Sequence, residues 1–405
     1  MANTLKFGGG TWATKEGSTL AYNDENENYK PLPFNFERDS IATRVNKEGL
    51  IEVVGNDIPR IDYTDSADGV LLLENSATNL ATYSEDFSDS SWNKVNSSGS
   101  SSPIITSDYG ISPDGTQNAD RIQVSRASGV GDYSSIYKSI TTSSSNRGLS
   151  VWLKSLNGTP TILIANNNGT YVSQQITTEW VRYELDLGVG TLTELQLSVV
   201  GSNFIQGVSE SADFLAWGYQ LEIGIPTSYI PTSGSTVPRA AETANGSGNS
   251  EVFNDSQGSL FLNINTPDTS AVPVISLSNG SFSNEIEFAY YGTNQFNFIL
   301  RVSGGTPNVI GNIVGGSFSK FCVTYTTTDF KVYLNGFLIG SNTLPSPLNG
   351  LDVFDFSLPS GTNPFYGKTK EIGYYDTALT DEELEYITSY RSLNELVTEL
   401  NLNTL

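Results

Sequence analysis

Apolar residues in this chain come in short runs, many at every second position, and each run ends at Gly, Asn, Ser or Pro before it reaches helical length. A period of two sends alternate side chains to opposite faces of a strand, so the pattern restricts the chain to sheets. Asp120-Arg-Ile-Gln-Val-Ser125, Ser134-Ser-Ile-Tyr-Lys-Ser139, Leu149-Ser-Val-Trp-Leu-Lys154 and Pro160-Thr-Ile-Leu-Ile-Ala165 open one series, which continues through 180–187, 195–200 and 213–222. A second series occupies 259–264, 272–277, 285–291, 296–302, 320–325 and 330–334. There, Asn335-Gly336 supplies the two positive-φ positions of a type I′ hairpin turn. Helical spacing enters only near the end: Thr380-Asp-Glu-Glu383 forms a capping-box pattern, and Leu384, Ile387 and Tyr390 follow as a stripe, which predicts a helix from Asp381.

The 405 residues suit two or three domains. The predicted fold is all-β: two antiparallel β-sandwich (jelly-roll) domains in tandem, preceded by a mostly extended N-terminal region and ending in a short C-terminal helix. Residues 1–78 form the N-terminal region, with strand-like pieces such as Gly49-Leu-Ile-Glu-Val-Val-Gly55 and Gly69-Val-Leu-Leu-Leu-Glu74. Residues 79–225 form the first sandwich, and 226–245 a linker, because Ile225-Pro-Thr-Ser-Tyr-Ile-Pro-Thr-Ser-Gly234 reads as an extended connector unsuited to a ladder. The second sandwich spans 246–390, and 391–405 are a tail. With 37% apolar and 16% charged residues but 20 Tyr and 19 Phe, the composition is that of folded sheets coated with polar residues, not of a disordered chain.

A net charge of −23 argues against a nucleic-acid partner, since phosphates need a basic footprint. The absence of His excludes His-dependent Ser or Cys triads and His-ligated zinc. The single cysteine, Cys322, lies in an apolar alternation without a partner base, which predicts a buried structural thiol and rules out an intrachain disulfide. The segment Met1-Ala-Asn-Thr-Leu-Lys-Phe-Gly-Gly-Gly10 lacks the apolar core of a signal peptide, and no apolar run is long enough to span a bilayer. A cell-surface-like composition without an export signal leads us to expect a protein made in the host cytoplasm and carried in a particle.

Candidate binding residues stand out on the first sandwich. Trp152 shares a strand face with Ser150 and Lys154, opposite the apolar Val151 and Leu153. An indole among polar neighbours is suited to stacking on a sugar ring, with Lys154 and Ser150 bonding hydroxyls. Alternatively, this face is covered by a loop, by the N-terminal region or by another subunit. Trp180 is expected to seal the sandwich edge, and Trp217 and Tyr219 to share one strand face. No catalytic residue is expected: Glu285 and Glu287 share a strand face, but Tyr290 stands where a third acidic residue would complete a glycosidase-like strand, so they read as a solvated acidic face. No cofactor is expected. The run Tyr22-Asn-Asp-Glu-Asn-Glu-Asn-Tyr29 offers hard oxygen ligands suited to calcium but lacks EF-hand spacing, and a solvated loop is the simpler reading.

Phe36-x-Arg38-x-Ser40-x-Ala42-Thr43-Arg44-Val45-Asn46, then Pro59-Arg60-Ile61-Asp62-Tyr63 and Leu72-Leu73-Glu74, resembles an N-terminal region of tailed-phage virion proteins. Residues from Ala77 to Trp92, with Trp217-Gly-x-Gln-Leu-Glu222, Thr227-Ser-Tyr-Ile-Pro-Thr232 and Arg239-Ala-Ala-Glu242, are similar to the frame of a carbohydrate-binding-module-like jelly roll. Val332-Tyr-Leu-Asn-Gly336 and Ile372-Gly-Tyr-Tyr-Asp-Thr-Ala-Leu-Thr380 are similar to the concanavalin A-like and laminin G-like sandwiches. The resemblance implies a non-enzymatic virion fibre or adhesin. Its N-terminal region would contact other virion proteins, its sandwiches would face host-surface glycans, and its chains would form a homo-oligomer, a trimer by analogy. The alternatives are a head fibre or decoration protein with structural contacts only and, less in keeping with the acidic strand, a glycan depolymerase.

Overall fold

The structure is a computed structural model that describes residues 5–19, 32–265, 272–292, 294–313 and 317–399. It is mostly β, with antiparallel sheets forming two sandwiches; Leu393–Glu399, in the segment read as a tail, forms a short helix after the C-terminal helix Asp381–Thr388. That helix starts where its capping box requires: the Glu383 backbone N–H donates to the Thr380 hydroxyl, and the Thr380 N–H donates to the Glu383 carboxylate.

The first sandwich is one rolled ladder in the order Ser101–Gly110, Ala119–Ser125, Ser211–Ile223, Tyr133–Ser155, Val181–Val200, Thr161–Asn167 and Thr170–Gln175. Two strands are much longer than ordinary: Tyr133–Ser155 has 23 residues and Val181–Val200 has 20. They pair along their length, with register breaks between Thr141 and Ser145 and between Asn146 and Gly148. The first half of Tyr133–Ser155 also pairs with Asn93–Asn96 and the second half with Ser211–Ile223, so one strand serves both layers. Leu149, Val151 and Leu153 point into the core with Ile136, Leu197, Phe214 and Tyr219, as their alternation requires.

In the second sandwich, one sheet has the order Phe337–Thr343, Asp329–Leu334, Ser319–Tyr325, Gly258–Asn265, Gly367–Tyr375, Val70–Leu73 and Arg60–Asp62. The facing sheet runs Asn308–Asn312, Gln295–Arg301, Glu285–Tyr291, Val274–Ser278 and Val353–Asp355. Phenylalanines interlock between them; the Phe288 and Phe296 rings each lie 5.0 Å from Phe321. Asn335 and Gly336 take φ of 48° and 90° at the hairpin tip. Cys322 is buried and its thiol is pushed far above its ordinary range by desolvation, which makes it an inert packing group.

The N-terminal region, expected to be mostly extended, supplies strands to the second sandwich. Val70–Leu73 and Leu5–Gly8 both pair with Gly367–Tyr375, and Arg60–Asp62 continues the sheet. The physical reason lies in the alternation within these short pieces: Phe34, Phe36, Leu71 and Leu73 had apolar faces to bury, and the open side of the second sandwich buries them. Residues 226–245, read as a connector, are similarly tied down. Val237–Arg239 pairs with Ala77–Asn79, and Thr243–Asn245 pairs with Phe34–Glu37. Pro238 is tolerated because its ladder has only two strands.

A buried charge network locks this junction. Arg38 and Arg60 both donate to Glu242, Arg60 also to Glu74 at 2.8 Å, and the Arg239 guanidinium lies 3.2 Å from Glu74. Ser228 on the connector donates to Glu74 through both its N–H and its hydroxyl. Burial pushes the Glu74 carboxyl up, but Arg239 and Arg60 outweigh it and hold the group well below the usual carboxylate range. The arginines and glutamates of four separated sequence segments thus meet at one point.

Candidate functional site

Gly218 determines how the aromatic residues of the first sandwich are distributed. Ser150 pairs with Gln220 but Trp152 pairs with Trp217, so Ser211–Ile223 has one extra residue here and bulges, with Gly218 at φ +65°. Strict alternation would put Trp217 and Tyr219 on one face; the bulge separates them. Tyr219 turns into the core, 5.6 Å from Trp92, while Trp217 turns outward, 5.3 Å from Trp152 and 4.7 Å from Tyr229. A Cβ at position 218 would lie 2.8 Å from the Trp152 ring, so glycine also admits the indole.

Trp152 is half-buried in this cluster, packed with Val45 and Ile51 of an N-terminal hairpin, in which Ala42–Val45 pairs with Ile51–Val54, and with Tyr229 of the connector. The Arg182 guanidinium lies 4.6 Å from the centre of its ring and donates to the Ser150 hydroxyl at 2.9 Å and to the Thr227 carbonyl. Ser150 is therefore wholly buried and acts by holding Arg182. Lys154 is half-buried. Of the three residues singled out by sequence, Trp152 alone lines the large cleft beside it, and the N-terminal region covers part of its face. Trp180 packs beside the cluster and donates its indole N–H to the Ile111 carbonyl.

That cavity is a cleft of about 1230 Å³ where the two sandwiches, the N-terminal hairpin and the connector meet. It is lined by Trp152 and Arg182 of the first sandwich, Tyr366 and Lys368 of the second, and Thr227 and Tyr229 of the connector. Its cations are paired: Arg182 with Glu184, Arg44 with Glu52 and Lys368 with Asp65. The walls thus offer donors, acceptors and aromatic surface without strong local charge, which is chemistry suited to a polyhydroxylated ligand. Tyr366 and Lys368 escaped sequence reasoning because they belong to the other sandwich, and their approach to Trp152 depends on the joint.

Glu285 and Glu287 are buried, not solvated as the alternation had implied. Arg301 stands directly across from Glu285 on the next strand and binds both carboxylates, Nε to Glu285 at 3.0 Å and Nη2 to Glu287 at 2.6 Å. Burial, then the charge of Glu287, push the Glu285 carboxyl up to about 7 against the pull of Arg301. Tyr290 is in the core. The acidic run at 22–29 lies outside the described residues; among the described residues no cluster of three or more His, Cys, Asp or Glu is placed to hold a metal ion. Among them, too, no helix is long and apolar enough to cross a membrane.

Residues 246–385 match the family described as the Concanavalin A-like lectin/glucanases superfamily. Among solved structures, the CBM40 module of the Ruminococcus gnavus IT-sialidase, bound to alpha2,3 sialyllactose, is 18% identical, with 36% of this chain and 94% of that one covered and a TM-score of 0.31. Domain 4 of an extracellular arabinanase from Geobacillus stearothermophilus, in complex with arabinotriose, is 17% identical over 41% of this chain and 83% of that one, at TM-score 0.30. A putative carbohydrate binding protein from Bacteroides ovatus is 10% identical over 65% and 82%, at 0.29. No curated protein matches the chain.

Proposed function

We propose that this protein is a non-enzymatic structural component of a phage particle, a fibre or adhesin that binds host-surface glycans in the cleft between its sandwiches. The observation that carries the glycan reading is the cleft, with Trp152, Tyr229 and Tyr366 among charge-paired polar side chains. The match of 246–385 to a superfamily of lectins and glucanases supports it. The virion assignment rests on the resemblance of 36–74 to phage N-terminal regions. The absence of catalysis is supported by Arg301, which engages both carboxylates of the acidic strand. Incubation with host polysaccharide should therefore release no reducing sugar.

The test is a bacterial glycan array probed with the full chain, followed by titration of the best ligand. Trp152→Ala and, from the second sandwich, Tyr366→Ala should each weaken binding between about twofold and tenfold, the worth of one ring contact. Melting must be followed in parallel, because Trp152 also packs against Trp217. Binding unchanged in both variants would remove the cleft from the reading. Purified particles of the source phage should contain the protein by mass spectrometry, and its absence from them would remove the virion assignment.

A further inference from the structure

The second sandwich has one side where two sheet edges lie next to each other. Phe337–Thr343 ends one sheet and Asn308–Asn312 ends the other, and among the described residues no strand pairs with the outer side of either. They fit closely: a Cβ on Gly311 would lie 2.9 Å from Ile339, one on Gly340 would lie 3.1 Å from Val309, and the Asn342 amide donates to the Asn308 carbonyl at 3.1 Å. Outward from this seam stand Phe337, Leu338 and Ile310, exposed by 73%, 51% and 54%.

Free edges invite pairing, and proteins ordinarily guard them with charges, prolines, bulges or a covering segment. Thr170–Gln175, at the end of the first ladder, also lacks charge and proline, but its Tyr171 and Val172 pack against the core and it exposes no large apolar side chain. Phe337–Thr343 has one register break, against Val332 and Tyr333, yet keeps Phe337 and Leu338 exposed. Three further edges are guarded. Arg60–Asp62 is buried in the charge network, Val353–Asp355 is bridged by Ser247, and Ser101–Gly110 carries two register breaks and Asp108. The strands Phe-Leu-Ile-Gly-Ser-Asn-Thr and Asn-Val-Ile-Gly-Asn contain no charged residue and no proline, in a chain of net charge −23. A second copy brought against most of this surface would place like charges in contact; at an uncharged edge only the longer-range repulsion between two chains of net charge −23 remains.

We propose that this side of the second sandwich is a homo-oligomer interface, in which Phe337–Thr343 pairs antiparallel with the same strand of a second copy and buries Phe337, Leu338 and Ile310. A self-complementary edge of this kind closes with two-fold symmetry, so the assembly is a dimer and not the trimer suggested by resemblance. It is independent of the glycan reading.

Sedimentation of the full chain at micromolar concentration should give twice the 43.7 kDa monomer mass. Association should strengthen as salt screens the repulsion between copies. Phe337→Lys and Ile310→Lys should each weaken dimerisation by roughly thirtyfold or more, the scale of an interface hot spot, with unchanged circular dichroism. Leu338→Glu tests the same surface should either variant lose its fold. A monomer at all salt concentrations, a trimer, or a dimer indifferent to all three substitutions would overturn the proposal.

Discussion

Glu285 illustrates how much chemistry one neighbour changes. On its strand it alternates with Ile286 and pairs across to Arg301, and the outcome is a desolvated carboxyl raised to about 7 by burial and by Glu287. A carboxyl whose folded value is raised above its ordinary 4.5 favours folding while protonated, so its contribution is fully present below pH 4.5 and is lost as pH rises through 7. The loss is on the order of 3 kcal/mol. Denaturant unfolding of Glu285→Gln should show a flatter pH dependence across that window and greater stability than the parent at pH 8; an unchanged profile would mean that Glu285 is ionised at its ordinary value. Sequence alone revealed the pair but not its burial, because alternation says which face a side chain takes and not what covers that face. Trp152 has the same limit: its face was legible, whereas its cover, Tyr229 and the hairpin at 42–54, comes from sequence far away.

At the level of elements, strands and helix were legible wherever local chemistry dictates them, as at Asn335-Gly336 and the Thr380 capping box. The bulge at Gly218 was not, since nothing in Trp-Gly-Tyr distinguishes a pleated glycine from one at φ +65°. Nor was the joint, although each of its arginines and glutamates was visible within a motif. Their convergence sets an expectation about energy. Glu242 accepts from Arg38 and Arg60 and from the Glu74 backbone N–H, all out of water. Glu242→Gln leaves buried guanidiniums short of a counter-charge and should destabilise by about 3–5 kcal/mol. Glu52→Gln, which breaks the half-exposed pair with Arg44 at 2.7 Å, should cost less than about 1 kcal/mol. Comparable midpoints in urea for the two variants would refute the distinction. The connector at 226–245 should resist protease in the parent and become cleavable in Glu242→Gln, because its Ser228 and Arg239 are held by the same network.

For the whole molecule, the two sandwiches look equivalent in sequence, each with its own strand series, and that equivalence implies two independent folding units. Their cores are not equivalent. Every buried residue of the first core, from Ala81 to Leu221, lies within 79–225. The second core includes Leu5, Phe7, Phe34, Phe36, Ile61, Leu71, Leu73 and Ala244, all outside 246–390. Several of these sit on strands that complete the sheet, so cutting at 246 removes apolar contacts and also leaves Gly367–Tyr375 without the partners Leu5–Gly8 and Val70–Leu73. Losing even two of the four phenylalanine and leucine side chains at 34, 36, 71 and 73 costs more than about 5 kcal/mol, comparable with the whole stability of a domain. Expressed alone, 79–225 should unfold cooperatively and give dispersed amide resonances. The segment 246–390 should be insoluble or molten, and addition of residues 1–78 in trans, or their fusion through a flexible linker, should restore it. A cooperatively folding 246–390 without that addition would show that the N-terminal strands decorate the second sandwich and do not complete it.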